Sequence, residues 1–226
     1  MTLHVTRHGQ VDLEKDHPPG DSSLSEMGRE QARLLGKKLA KDGFSGTVYC
    51  SPFLRTVETA QIVADVLDVA VVPAAEIREY VIHETQMDDF SGSTEDDLRR
   101  RFSRVADSAE LAYPWWTTDI ETDEDIEARV RPLIDRVVDL PEDALLVGHG
   151  VSVAGVHRSI LRRHAPDRLD HGRFGWNCVL SSLRFEPFEI VRLLETDHLP
   201  DEMVTSNAQH RDEVLKDVAE GRGPDI

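Results

Sequence analysis

The sequence predicts an α/β fold, a three-layer αβα sandwich with a mostly parallel central sheet. Short apolar runs typical of buried strands alternate with stretches of helical periodicity along most of the 226 residues. This alternation favours parallel strands that are covered by helices on both faces. With 39% hydrophobic residues, a chain of this length can bury one sizeable core, and we predict a single domain.

The predicted helices begin and end at residues with suitable local chemistry. Ser25 can cap a helix in which Ala32, Leu35 and Leu39 share one face, and Gly43 can close it. In chain order we predict the strand Leu3–Thr6, the helix from Ser25 to Gly43, the strand Thr47–Cys50, the helix Arg55–Leu67, the strand Val69–Val72, a helix capped by Ser93 that carries Leu98, Phe102 and Val105, a helix capped by Thr122, the strand Ala144–Val147, the helix Val151–Arg163, and the strands Cys178–Phe185 and Ile190–Leu194.

The region between about residues 75 and 114 lacks sustained periodicity, and we predict a small cap insertion there. Within it, Ala75–Ser93 is interpreted as a loop over the site. The adjacent Trp115 and Trp116 are expected to pack at the surface. The domain should span residues 1–205, followed over 206–226 by a polar C-terminal tail with a short surface helix.

Charge and hydropathy exclude several classes of partner. The net charge is −17 with no basic stripe, which disfavours nucleic acid and anionic membranes. No apolar stretch reaches the ~18 residues of a membrane helix and no signal peptide is evident, so we expect a soluble cytoplasmic protein. The chain has 5 lysines and 21 arginines. Adaptation to high salt and a GC-rich genome explain this excess of arginine equally well. Cys50 and Cys178 are expected to be buried thiols.

Two histidines are each placed directly after a predicted strand. Arg7-His8-Gly9 follows the first strand, and Gly148-His149-Gly150 follows Ala144–Val147. Because open α/β sheets bind their ligands beyond the carboxyl ends of the strands, we expect these histidines to share one pocket.

Four segments stand apart from the rest: Thr6–Gln10, Ser51–Ala60, Ile77–Glu79 and Val147–Gly150, which read TRHGQ, SPFLRTVETA, IRE and VGHG. Together they resemble the histidine phosphatase superfamily, and Leu24–Ala32 is similar to its LT-x-x-G-x-x-QA segment. RHG alone would be a weak signal, but the ordered combination is specific. The resemblance covers essentially residues 1 to 200 and implies a phosphoglycerate mutase-like fold with one catalytic domain.

Phosphoryl transfer to a nitrogen requires a neutral imidazole, and cations must offset the charge on the phosphoryl oxygens. His8 is the candidate nucleophile, and the planar forks of Arg7 and Arg55 would clamp the oxygens. The resemblance places His149 beside the transferred group. Glu79 matches the family's L-x-E position and would protonate the leaving oxygen, then activate water. We expect burial and a nearby phosphate to keep this carboxyl protonated.

Other positions near the expected site are less well defined. Gln10 and Gly150 are further predicted substrate-binding residues, and Glu84 is the alternative acid if the loop register differs. Family members often carry a phosphate-binding asparagine where an ungapped comparison places Glu14, which cannot donate as an amide does. Gln10 or Ser23 would then supply the donor, or the register of the loop shifts.

Several alternatives stay open. His8 and His149 with a carboxylate could bind zinc, but two flanking arginines favour an anion, so we predict no metal and no cofactor. Arg99–Arg101 form either a solvated helix face or a contact to an acidic substrate. The leading function is a metal-independent phosphomonoesterase for a small phosphorylated metabolite, acting as a monomer or homodimer. A phosphoglycerate-type phosphomutase and a non-catalytic phosphate-ester binding module are the alternatives.

Overall fold

A computed structural model describes residues 1–12, 20–107, 111–171, 175–207 and 209–219. Its strands and helices alternate as the sequence predicts. In chain order they are β1 (Thr2–Arg7), α1 (Glu26–Asp42), β2 (Gly46–Cys50), α2 (Leu54–Leu67), β3 (Val71–Pro73), α3 (Glu95–Arg101), α4 (Asp123–Val138), β4 (Asp143–Gly148), α5 (Gly150–His164), β5 (Leu180–Arg184), β6 (Glu189–Glu195), β7 (Thr205–Ser206), β8 (Gln209–His210) and α6 (Arg211–Ala219). Short 3-10 turns cover Ala75–Ile77, Pro166–His171 and Asp201–Met203.

The strand order of the central sheet is β3-β2-β4-β1-β5-β6. The first four of these strands run parallel to one another, whereas β5 lies antiparallel to both β1 and β6. One face of the sheet packs against α1 and α2, and the other packs against α4 and α5 through a separate apolar core. The predicted three-layer αβα sandwich with a mostly parallel sheet is therefore confirmed.

The predicted starts of two helices are confirmed by their hydrogen bonds. The Ser25 side chain accepts from the Gly28 N–H at the start of α1, and Gly43, with a φ of 83°, closes that helix. Thr122 forms a capping box with Asp125 at the start of α4. Local side-chain chemistry thus fixes these helix ends, and most of the remaining boundaries agree with the sequence to within one or two residues.

Two predicted strands begin too early. β3 starts at Val71 and not at Val69, because the Val69 N–H donates to the Ala64 carbonyl and so closes α2. β5 starts at Leu180 and not at Cys178, because Cys178 has a φ of 52°, which is incompatible with an extended strand. Both errors arise where an apolar run continues through a turn.

The start and length of α3 also differ from the prediction. Thr94, not Ser93, caps the helix, and the Ser93 carbonyl instead accepts a hydrogen bond from Trp115 Nε1 at 2.9 Å. The helix ends at Phe102, which is extended, and Val105 lies beyond it in a β-bridge to Val71 in β3. The apolar spacing that suggested a longer helix therefore spans a helix and a following bridge.

The prediction that the tryptophans pack at the surface is wrong for Trp115, which is only 4% exposed. It lies in the aromatic cluster, a buried group that consists of Phe53, Val81, Met87, Phe90 and Trp115. Gly92 permits this packing, since a Cβ at that position would lie 2.3 Å from an atom of the Trp115 ring. The cluster joins the cap to Phe53, the residue that precedes α2.

Cys50 and Cys178 are free and buried, as predicted. Within the described ranges, no helix is both long and apolar enough to span a membrane.

Candidate active site

The predicted site residues lie beyond the carboxyl ends of the four parallel strands. Arg7 ends β1 and His8 follows it, while His149 lies between β4 and α5. Arg55 belongs to the first turn of α2, which follows β2, and Glu79 follows the 3-10 turn after β3. The sheet therefore brings together five residues that are far apart in the sequence, as expected for an α/β fold.

Close packing of two glycines holds the loop after β1 against the start of α1. A Cβ on Gly9 would lie 2.5 Å from the Gly28 carbonyl oxygen, and a Cβ on Gly28 would lie 2.1 Å from the Gln10 carbonyl oxygen. The Gly9 N–H also donates to Thr59 Oγ1 at 3.1 Å. The glycines of the RHG tripeptide and of the Leu24–Ala32 segment are therefore required by the same contact.

His8 is oriented by its own backbone. Its Nδ1 lies 2.7 Å from the Gly9 carbonyl oxygen, which can only accept, so the proton resides on Nδ1 and the lone pair resides on Nε2. The Asn177 side chain donates to the His8 carbonyl at 3.1 Å. Burial, together with Arg55 and Arg7, lowers the pKa of His8 well below its usual value. The imidazole is therefore neutral, with the lone pair on Nε2.

Arg7 is held by the segment that follows the central sheet. Its Nη1 donates to the Gly175 carbonyl at 2.6 Å and to Ser206 Oγ at 3.1 Å, and its Nη2 donates to Asn207 Oδ1. Burial lowers the pKa of Arg7 to about 10, so the guanidinium remains charged at neutral pH. Ser206 and Asn207, which we predicted to belong to a polar tail, thus contact a site residue.

Arg55 lies between the pocket and the aromatic cluster. Its Nη2 is 3.5 Å from Glu79 Oε2, and its guanidinium carbon lies 4.5 Å from the centre of the Phe53 ring. Its Nη1 donates to the Gly20 carbonyl at 3.2 Å. The Arg55 guanidinium, which comes from α2, therefore lies near His8, as that of Arg7 does.

The segment that carries Glu79 is fixed from α4. Arg129 Nη1 donates to the carbonyls of Glu76 and Arg78 at 2.9 and 3.0 Å. Both Arg129 and Arg78 form ion pairs with Glu121. This buried network holds the backbone on both sides of the acid candidate, which explains how an irregular loop can place a carboxylate accurately.

His149 faces Ser51 with one ring nitrogen and Glu79 with the other. Nε2 lies 2.9 Å from Ser51 Oγ, and Nδ1 lies 3.2 Å from Glu79 Oε2 without the alignment of a hydrogen bond. Its ring centre is 5.4 Å from that of His8. Burial lowers the pKa of His149 to about 4, despite the neighbouring carboxylate.

The expectation that Glu79 is protonated is wrong for the ligand-free site. Burial by itself would raise the pKa of Glu79, but His149, Arg55 and the Tyr80 N–H outweigh burial and lower it to about 2. The carboxyl is therefore ionised at neutral pH. The sequence reasoning weighed burial and a phosphate anion without His149, Arg55 and the Tyr80 N–H, which the fold brings against this carboxyl.

The other predicted positions have different surroundings. Gln10 Oε1 accepts from the Ser25 hydroxyl at 2.8 Å, and Gly150 begins α5. Glu84 is exposed, and the Ser23 carbonyl accepts from the Asp12 N–H. Glu14 lies outside the described residues. Substrate contacts of Gln10 and Gly150 stay predictions.

Sequence reasoning missed four residues that support the site: Ser51, Thr59, Ser206 and Asn207. Ser51 and Thr59 belong to the SPFLRTVETA segment, which therefore contained a usable signal, but the sequence reasoning assigned a role only to its Arg55. Ser206 and Asn207 gave no comparable signal. Among the described residues, no group of three or more His, Cys, Asp or Glu side chains is arranged to hold a metal ion.

Curated proteins with similar sequences include several mutases. The probable phosphoglycerate mutase GpmB of Erwinia tasmaniensis is 24% identical over 196 residues, which cover 78% of this chain and 87% of that protein. The 2,3-bisphosphoglycerate-dependent phosphoglycerate mutase of Rhizobium meliloti is 30% identical over 142 residues, covering 53% of this chain and 66% of that protein.

Solved structures with the same fold include phosphatases. The ecdysone phosphate phosphatase of Bombix mori, in complex with tungstate, has a TM-score of 0.66 at 18% identity, over 95% of this chain and 99% of that chain. The mycobacterial glucosyl-3-phosphoglycerate phosphatase has a TM-score of 0.59 at 24% identity, over 86% and 99%. The family model of the histidine phosphatase superfamily (branch 1) matches residues 3–196, and the chain belongs to this superfamily.

Proposed function

We propose that the chain is a phosphomonoesterase that works through a phosphohistidine on His8. The observation that carries this proposal is the buried Arg7 Nε, which has no hydrogen-bond partner among the described residues, together with His149 Nδ1, which faces Glu79 at 3.2 Å without a completed hydrogen bond. Both flank His8, and Arg55 adds a second guanidinium. Buried donors without acceptors are costly, and an oxyanion with several lone pairs would satisfy them.

The proposed reaction has two displacements at phosphorus. In the first, His8 Nε2 forms a bond to phosphorus, the ester P–O bond breaks, and the leaving oxygen takes a proton from Glu79. In the second, water attacks the phosphohistidine while Glu79 takes the water's proton, the P–N bond breaks and inorganic phosphate leaves. Arg7, Arg55 and His149 offset the charge on the phosphoryl oxygens in both steps.

The ionised Glu79 requires that the first proton arrives with the substrate. A phosphate monoester that binds as its monoanion brings one proton, which can pass to Glu79 as the phosphoryl oxygens settle between the arginines. Since the second pKa of a phosphate ester is about 6, we expect kcat/KM to fall above about pH 6. His8, with its lowered pKa, remains a neutral nucleophile on the acid side.

The cap supports a phosphatase over a mutase. Residues 75–114 contain ten carboxylates and five arginines. Four of these arginines form ion pairs with acidic side chains, as Arg99 does with Glu95 and Arg100 with Asp97. A second anionic group, such as the carboxylate of phosphoglycerate, would meet repulsion there. We therefore propose a small substrate with one phosphate and an uncharged remainder.

Phosphoglycerate mutase is the second candidate, because mutases are among the relatives by name. A mutase would keep its phosphohistidine against water and return the group to its substrate. A binding module without turnover is the third candidate, and it would form no phosphohistidine at all.

Rapid quenching after mixing with ³²P-labelled p-nitrophenyl phosphate tests these candidates. We expect an acid-labile, base-stable label that forms together with p-nitrophenol and before inorganic phosphate is released. The label should be absent in the His8→Ala variant. It should be kept in His83→Ala, which changes an exposed cap histidine. A label that persists in His8→Ala would overturn the nucleophile. With 3-phosphoglycerate and bisphosphoglycerate, isomerisation faster than phosphate release would replace phosphatase by mutase.

A further inference from the structure

Ser51 is a buried residue without a role in the proposed reaction, although its hydroxyl touches a site histidine. It directly follows β2, and its N–H donates to the Val147 carbonyl in β4 at 3.0 Å. Its side chain is fully buried, and Oγ lies 2.9 Å from His149 Nε2. The backbone of two neighbouring strands thus fixes this hydroxyl against the imidazole.

The direction of this hydrogen bond follows from the partners of Ser51. Its Oγ accepts from the Phe53 N–H at 3.5 Å, and among the described residues its only acceptor is His149 Nε2. If Oγ instead accepted from an Nε2–H, the buried hydroxyl hydrogen would have no acceptor among the described residues, so the arrangement that satisfies the hydroxyl points its hydrogen to Nε2. Nε2 then carries the lone pair, and in a neutral imidazole the proton resides on Nδ1.

The other side of the ring agrees with this assignment. Nδ1 lies 3.2 Å from the ionised Glu79, so a proton on Nδ1 is attracted to the carboxylate and a lone pair there would be repelled. Arg55 and Arg7, the other charged groups near the ring, are donors only and cannot accept from Nδ1. Ser51 and Glu79 therefore select the same tautomer from opposite edges of the ring.

We propose that Ser51 is a positioning residue that holds His149 as its Nδ1–H tautomer, so that Nδ1 can donate either to Glu79 or to a phosphoryl oxygen. In the ligand-free site Nδ1 faces Glu79 without a completed hydrogen bond. When the phosphoryl group binds at His8, the donor turns to a phosphoryl oxygen, and Glu79 loses a neighbour that favours its ionised form. This transfer of one donor would prepare Glu79 to accept the substrate's proton. The inference rests on the proposed phosphatase reaction.

The tautomer of His149 can be measured by NMR in the ligand-free protein, with no substrate present. In ¹⁵N-labelled protein, long-range nitrogen–proton spectra distinguish a protonated ring nitrogen from one that carries a lone pair, and the His149→Gln variant identifies the signal. We expect wild-type His149 to be protonated at Nδ1. In Ser51→Ala, where Glu79 alone still favours that tautomer, we expect a mixture with a measurable share of the Nε2–H form. Wild-type protein protonated at Nε2, or an unchanged tautomer in Ser51→Ala, would overturn the role of Ser51.

Kinetics then separate positioning from general stability. We expect kcat of Ser51→Ala to fall on the order of 10- to 100-fold with little change in KM, as for other groups that orient a functional histidine. Ser51→Thr, which keeps the hydroxyl, should recover most of this loss. An undiminished kcat in Ser51→Ala would contradict the proposal.

The matched control is Thr56, whose buried hydroxyl donates to the Ser51 and Phe53 carbonyls at 2.7 and 2.6 Å but does not touch His149. Thr56→Val should lower the melting temperature at least as much as Ser51→Ala and leave kcat nearly unchanged. If both variants lose kcat equally, the turn as a whole matters and the specific role of Ser51 is wrong. If no phosphohistidine forms while the tautomer results hold, the proposed function fails and the assignment of the tautomer survives.

Discussion

The pocket (Arg7, His8, Arg55, Glu79 and His149) and the rest of the cap (75–114 without Glu79) meet at the Phe53 ring but are built in different ways. Strand ends and close backbone contacts, such as that of Gly9 with Gly28, place the pocket residues that follow strands, and Arg129 holds the backbone beside Glu79. The cap is held largely by side chains, through the aromatic cluster and the bond from Trp115 to the Ser93 carbonyl. Under the proposed reaction, a separately packed cap would let the same phosphoryl chemistry act on different alcohols.

The charges of the two regions differ as well. Arg7 is 8% exposed and its Nε has no hydrogen-bond partner among the described residues, whereas the side chain of Arg100 is 69% exposed and forms an ion pair with Asp97 on the same helix. A buried guanidinium that keeps a free N–H and has no carboxylate of its own can bind an oxyanion strongly, but exposed and paired charges contribute little. Substitutions in the pocket should therefore change catalysis far more than substitutions of cap charges.

The largest effect is expected for Glu79→Gln in the pocket. With a simple alkyl phosphate, kcat should fall by about 10³-fold, since an alkoxide cannot leave without a proton. With p-nitrophenyl phosphate, whose leaving group needs no proton, phosphorylation should stay fast and the phosphohistidine should accumulate, because water then lacks its base. Single-turnover measurements of the phosphorylation rate with both substrates test this. The control Glu84→Gln changes an exposed carboxylate of the cap loop and should behave as wild type. Equal losses in the phosphorylation rate with both substrates would refute the acid role.

The next effect, about 10²-fold in kcat/KM, is expected for Arg55→Lys. An ammonium group keeps the charge but cannot bind two phosphoryl oxygens with a planar fork. Inhibition by inorganic phosphate should weaken in parallel, as measured by its inhibition constant. Arg104→Lys is the control, because Arg104 pairs with Asp65 and Asp68 at the surface. A loss at position 104 as large as that at position 55 would mean that the effect is not specific to the pocket. An unchanged kcat/KM in Arg55→Lys would mean that charge alone, and not the fork, matters.

The positions of the pocket residues were easier to predict from the sequence than the packing of the cap, because the two regions are held together in different ways. His8 and His149 follow buried strands, and the parallel sheet must bring such strand ends together, so short local motifs sufficed. Trp115 follows no periodic element, and its burial depends on Gly92 and Phe53, which are distant in sequence. The ionised state of Glu79 was also unpredictable, because its lowered pKa depends on how close the fold brings His149 and Arg55.

A third expected effect concerns stability in acid, because pocket and core bury histidines whereas the cap histidine His83 is exposed. Burial lowers the pKa of His4, His149 and His157 from 6.5 to about 4. Between these values the unfolded chain binds protons that the folded protein does not. The free energy of unfolding should therefore fall as the pH drops from 6.5 to 4, by up to about 3 kcal/mol for each histidine.

His157 isolates one of these contributions, since among the described residues neither of its ring nitrogens has a hydrogen-bond partner. His157→Leu should lose less stability between pH 7.5 and pH 5 than the wild type, as measured by urea unfolding at both pH values. His83→Ala should keep the wild-type difference. A pH difference in His157→Leu equal to that of the wild type would show that His157 is already protonated in the fold or that its burial is compensated.

The smallest effect is expected in the cap, for simultaneous Arg99→Ala, Arg100→Ala and Arg101→Ala. Arg99 and Arg100 pair with Glu95 and Asp97 of α3, and Arg101 lies over the Phe102 ring at 5.5 Å, so each has a local partner. Exposed pairs of this kind contribute little, and kcat/KM for a monophosphate with an uncharged remainder should change by less than about twofold. A rise in KM of tenfold or more for 3-phosphoglycerate alone would mean that α3 recognises a second anionic group, which would break the contrast between pocket and cap and favour the mutase.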